Sequence, residues 1–139
     1  MTTLEVKLRT AAAADTDLTA LLGTSPFRWY DTQLDQGSAM PAVVVLRVTY
    51  PRNYALNARM TTGQARMQFT IWGATGEQAR SVEAALLTFL DGFDAIGKAN
   101  LSQYPNRVVM SRAGLYAQTQ PARYLVIDDV MVWNDEAVS

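Results

Sequence analysis

The chain has 139 residues, a formal net charge of −1, and a composition that is 49% apolar and 18% charged. That length suits one domain able to bury a core unaided, and the composition lies well outside the disordered range. Without cysteine or histidine, the chain can form no disulfide and hold no cysteine-ligated metal, and it lacks the commonest general base and transition-metal ligand.

The first segment, Thr2-Thr3-Leu4-Glu5, reads as a capping box opening a helix that carries Leu4, Leu8 and the alanines 11–14. Glu5, Lys7 and Arg9 interrupt any apolar leader, so a cytosolic product is expected. Asp15 reads as a second N-cap before a short turn bearing Leu18, Leu21 and Leu22, and Gly23 stops it as a glycine does where φ must be positive. After Ser25-Pro26, the stretch Phe27–Tyr30 is extended and forms a short strand, and a polar loop leads to Pro41. Ala42–Tyr50 is a valine-rich strand ended by Pro51, with both faces largely apolar. Its apolar run is far too short to span a bilayer. Residues 52–63 show no periodicity and read as a long hairpin connection, of a length that is commonly functional or mobile.

Gln64–Trp72 alternates, with Met67, Phe69 and Ile71 pointing one way and Gln68 and Thr70 the other. Gly73–Gly76 turns the chain into a helix through a capping box from Thr75 to Gln78. Ala79, Val82, Leu86, Phe89 and Leu90 form the apolar stripe of that helix, which faces a sheet, and Asp91-Gly92 ends it. Phe93–Pro105 reads as a loop. Arg107–Ala117 is a strand with a bulge or bend at Gly114, and Arg123–Trp133 is its return. In this last strand Leu125, Ile127, Met131 and Trp133 share one face with Asp129, while Tyr124, Val126, Val130 and Val132 share the other with Asp128. The expectation is a single α+β domain over residues 1–139, a two-layer sandwich with a mainly antiparallel or mixed sheet. Helices pack on one face only, which leaves a second apolar face to be covered by something else.

No catalytic constellation emerges. Gly73–Gly76 sits where a phosphate loop would, but it lacks the lysine and the length of a P-loop, and capping accounts for it. The pairs Asp15/Asp17, Asp91/Asp94 and Asp128/Asp129 have no calcium-loop context, and neighbours in a strand such as Asp128 and Asp129 point to opposite faces. Lys98 and Ser102 stand near helical spacing, yet Asn100 and Pro105 argue for a loop there, and no nucleophile elbow is present. No metal or cofactor is therefore expected, and no enzymatic activity. Ten of the twelve basic residues are arginine, a bias that protein interfaces favour and genomic base composition can also produce. With that net charge and no polybasic block, a nucleic-acid surface has little electrostatic support. Trp29, Tyr30, Tyr50, Tyr54, Trp72 and Trp133 stand mostly at strand ends or loop starts. They serve either as half-buried packing or as anchors of subunit contacts.

The layout as a whole carries a resemblance. A helix leads to Asp15 and Leu21-Leu22-Gly23, then comes the strand around Met40–Val45 and a polar hairpin. Arg66–Gly73, the helix from Glu77 with Leu90-Asp91-Gly92, and Arg123–Trp133 complete it. From about Thr3 to Trp133 this resembles the small tail-completion, or tail-terminator, proteins of long-tailed bacteriophages. The resemblance implies a virion protein of the tail or neck, assembled in the host cytoplasm. It would form a homo-oligomeric ring, hexameric in the family, that ends the tail tube and joins it to the head connector. The implied partners are further copies of the chain, the tail tube protein and the connector protein. Genomic DNA would pass the lumen without sequence-specific binding, and no membrane is involved. The family has no catalytic residues to carry over. Within the 52–63 connection, Arg52, Tyr54, Arg59 and Met60 are the residues expected at subunit or tube interfaces. Two other readings stay open: a head-completion or stopper protein of the same joint, and a small-ligand-binding α+β domain.

Overall fold

A computed structural model describes residues 3–34, 39–49, 62–95, 106–116 and 123–135. Its elements are α1 (Leu4–Ala13), α2 (Thr16–Leu22), β1 (Trp29–Asp31), β2 (Ala42–Thr49), β3 (Thr62–Gly73), α3 (Gly76–Gly92), β4 (Arg107–Tyr116) and β5 (Arg123–Asp135). The strands form one mixed sheet in the order β1-β2-β3-β5-β4, with β1 parallel to β2 and the other neighbours antiparallel. All three helices contribute to a single core on one side of this sheet, the expected α+β sandwich.

Local chemistry explains the helix boundaries. Thr3 caps α1, its hydroxyl accepting from the Val6 amide at 3.4 Å, so the cap lies one residue later than the capping-box reading placed it. Glu5 is not part of a box, because the Arg47 guanidinium on β2 donates to both of its carboxylate oxygens at 2.7 and 3.0 Å. A two-point charged fork is a stronger partner than one backbone amide. Asp15 caps α2, accepting from the amides of Asp17 and Leu18 at 3.0 Å each. Gly23 ends α2 at φ +84°, where a Cβ would also stand 2.9 Å from the Arg28 guanidinium. That guanidinium donates to the Pro41 carbonyl at 2.7 Å and the Leu21 carbonyl at 3.2 Å, tying the end of α2 to the entry of β2.

The alternation in β3 is realised fully: Ala65, Met67, Phe69 and Ile71 are sealed from solvent. Trp29 of β1 is the largest side chain beside them. It stacks with Phe27 at 6.0 Å between ring centroids and meets Phe69 edge-on at 6.0 Å. β3 runs into α3 through Gly73, where a Cβ would approach the Ala79 amide nitrogen to 2.9 Å and the Thr75 carbonyl to 3.0 Å. Thr75 caps α3 by accepting from Gln78 N, and Gln78 Oε1 in turn accepts from the Ala74 amide at 2.8 Å. The helix then buries Ala79, Val82, Leu86 and Leu90 on the sheet; Phe89, the fifth residue of the predicted stripe, is half-buried.

The bulge in β4 is not at Gly114, which pairs in register with Leu125; the register shifts between Val108 and Met110 instead. Skipping Val109 brings Met110 and Arg112 onto the face of β5 that carries Asp129. A bulge depends on how two strands space their side chains against each other, and a glycine alone does not create one.

Candidate assembly surfaces

β5 sits between β3 and β4 and shows a different environment on each face. Val126, Val130 and Val132 lie under the helices and are sealed. Leu125, Ile127, Met131 and Trp133 are half-buried on the opposite face, which no helix of the described residues covers. Pairing sets Gln64, Arg66, Thr70 and Trp72 of β3 beside them. Asp129 lies in the middle of this open face with its side chain 3% exposed, 2.8 Å from Arg66 Nη2 and 3.9 Å from Arg112 Nη2. One carboxylate thus faces two guanidinium groups from the strands on either side of it. Arg107, opposite Met131, and Arg123, in alternation with Leu125, project on the same face. Among the described side chains of the strands, four arginines and one aspartate mark this surface.

Asp128 points the other way, into the layer between sheet and helix. Burial pushes its carboxyl up from 3.8 to about 6; the neighbouring Glu83 and Asp129 charges act in the same direction, and the Ser111 hydroxyl opposes them. That hydroxyl donates to Glu83 Oε2 at 3.0 Å, and neither Asp128 oxygen has a hydrogen bond of good geometry. The arrangement is a buried acid near a second acid of α3. Among the described residues no three acidic side chains gather into a metal-binding group, and no helix is long and apolar enough to cross a membrane.

β4 is the outermost strand of the sheet, and Val108, Val109, Met110 and Leu115 on it are 45–69% exposed. Edge strands usually carry charges, prolines or short lengths that discourage pairing with another chain. Here Arg107, Arg112 and one bulge interrupt ten residues, and three consecutive apolar side chains between the arginines still meet solvent.

On the helix side, a groove of about 430 Å³ opens where the α1–α2 corner meets the end of α3. Ala11, Ala14, Phe89 and Phe93 give it apolar walls, Asp15 and Asp94 give it acidic ones, and none of its lining residues is basic.

The residues named from sequence, Arg52, Tyr54, Arg59 and Met60, lie outside the described residues. The strands they connect pair directly, from Ala42 opposite Trp72 to Thr49 opposite Arg66. β3 begins at Thr62, so the last two residues of the expected 52–63 connection belong to the strand. Sequence reasoning did not find the Arg66–Asp129–Arg112 cluster. Its one visible signal was an aspartate interrupting an apolar face, and only the register identifies the arginines that answer it.

A sequence profile described as "Tail completion protein gp17" matches residues 6–116. A solved structure titled "Virion of native gene transfer agent (GTA) particle" contains a similar chain. The match has a TM-score of 0.65 at 16% identity and covers 96% of this chain and 95% of that one. At that identity the likeness is one of fold. None of the curated protein sequences matches the chain.

Proposed function

Because the chain belongs to the tail completion protein gp17 family, we propose that it forms a ring at the end of a phage tail tube and joins that tube to the head connector. Its family role is structural, in the virion tail. The finer reading is that copies close into a cyclic, hexameric assembly. Growth of the tube stops beneath it, the connector docks above it, and genomic DNA passes its lumen without sequence-specific contacts. It acts through contacts between surfaces, with no bond made or broken.

The observation that carries this reading is the face of the sheet that no helix of the described residues covers. A subunit that worked alone would have little reason to keep an apolar open face and an exposed apolar edge strand next to a complete core. Two different surfaces, one on the sheet and one on the helix layer, are what heterologous contacts need if they are to close into a ring. The connection between β2 and β3, with Arg52, Tyr54, Arg59 and Met60, is assigned here to contacts between subunits or with the tube.

The test is reconstitution with tail tube protein, followed by particle imaging. A ring at one end of tubes of uniform length is expected, and tubes that overgrow without this protein. A symmetric dimer, or no density at the tube end, would refute the proposal; density on the connector alone would favour the head-completion reading. Replacing residues 53–60 by a short Gly/Ser turn should leave the fold intact and abolish joining of tails to heads. Normal joining would reduce that connection to a spacer.

A further inference from the structure

Among the described residues the charges are segregated. On the helix side the exposed charged residues are Asp17, Asp31, Glu77, Asp91 and Asp94, against Arg9 and Arg80, and the half-buried ones, Glu5, Asp15 and Glu83 against Lys7, Arg28 and Arg47, balance. Arg9 is already engaged, donating to the Trp29 carbonyl and lying over the Phe27 ring at 5.8 Å. The open sheet face carries the opposite excess, in the exposed Arg107 and Arg112 and the half-buried Arg66 and Arg123, with Asp129 held between Arg66 and Arg112. The described residues of this chain of net charge −1 therefore present a cationic side and an anionic side.

We infer that β4 of one copy seats in the acidic, apolar groove between the α1–α2 corner and the end of α3 of a second copy. The two surfaces match in kind. β4 offers Val108, Val109 and Met110 flanked by the exposed Arg107 and Arg112. The groove offers alanine and phenylalanine walls with Asp94 and with Asp15, whose carboxylate also caps α2. Such a contact is head-to-tail, since it joins different surfaces of the two copies. A nucleic-acid backbone is the weaker match for the arginines. Asp129 already answers Arg66 and Arg112, and the face between them is apolar, whereas phosphate recognition needs several free cationic contacts. The inference rests on the ring reading for the identity of the occupant, and it adds which surfaces meet.

The absence of native cysteine makes a clean test available. Val109→Cys and Ala14→Cys variants of the full chain, mixed at the highest soluble concentration and oxidised with copper phenanthroline, should cross-link to each other. The double variant should give a ladder of covalent oligomers on denaturing gels. Gly92→Trp fills the groove from a position where a Cβ meets nothing within 4 Å; it should keep the parent's melting temperature while abolishing the ladder. Arg107→Glu with Arg112→Glu should weaken self-association about tenfold or more, because like charges would then face each other, and adding Asp94→Arg should restore most of it. Cross-linking of Val109→Cys only to itself would mean symmetric edge pairing and overturn the inference. Oligomers by mass measurement without the mixed cross-link would overturn it and leave the ring reading standing, whereas a strict monomer would remove both. Binding of a DNA duplex that those arginine changes abolish, with no self-association, would assign the face to nucleic acid instead.

Discussion

β3 and β4 flank the same strand and have similar length, yet their side chains live in different surroundings. On β3 every second residue from Ala65 to Ile71 is sealed beneath the helices. On β4 the residues at the equivalent level, Val108 and Leu115, are 45% and 69% exposed. The cause is the reach of α3, whose buried stripe lies over β3 and β5, while Glu83 on its flank meets Ser111 of β4. An apolar residue without a cover inside its own chain gains nothing from burial until another surface arrives. β3 therefore carries the core, while β4 leaves apolar side chains that no described residue seals.

The comparison is sharpest in its largest effect. Phe69→Ala on β3 removes a sealed ring that meets Trp29 edge-on, and should cost about 3–5 kcal/mol. Thermal melts should show a midpoint lower by roughly 10 °C or more; a loss as small as that of a surface change would mean the core is loosely packed. The intermediate case lies between the two strands. Asp128 binds its proton more tightly in the folded chain than its ordinary value of 3.8 allows, at about 6. The stability this contributes is complete below about pH 4 and is lost as pH rises through 6. Asp128→Asn imitates the protonated acid, so it should match the parent near pH 4 and exceed it above pH 7 by up to about 3 kcal/mol. Urea midpoints at the two pH values check this, and equal gains at both would show that the carboxyl is not strained by its burial. The smallest effect is Leu115→Ser on β4, which should change the stability of the isolated chain by no more than about 0.5 kcal/mol. A loss of several kcal/mol in dilute solution would show that the strand packs within its own subunit, and would end the contrast.

Much of the fold was legible because it is written at short range. The period of two in β3, the stripe of α3, the Asp15 cap and the Gly23 stop each depend on residues within one or two turns of each other. The features that escaped depend on partners far along the chain. Glu5 is occupied by Arg47, 42 positions away, and the β4 bulge follows from register with β5, where glycine chemistry has no part. The charge asymmetry between the two sides needs both strand alternation and sheet order before it can be seen. Of the candidate interface, the second uncovered face was foreseeable from β5, whereas the groove exists only once α1, α2 and α3 are brought together. Arg52, Tyr54, Arg59 and Met60 stand where they began, as a reading of residue types in a long connection.

At Gly73 the backbone of β3 lies so close to Ala79 and Thr75 that no side chain fits, and two hydrogen bonds, Gln78 N to Thr75 Oγ1 and Ala74 N to Gln78 Oε1, hold the turn. The sheet and α3 are joined without slack, so the edge strand and the groove at the far end of α3 hold a fixed angle to one another. If those two surfaces join successive copies, each copy hands the next a rotation cut into its own backbone. The number of subunits in the closed circle is then a property of the monomer, as the curvature of an arch is a property of its stones.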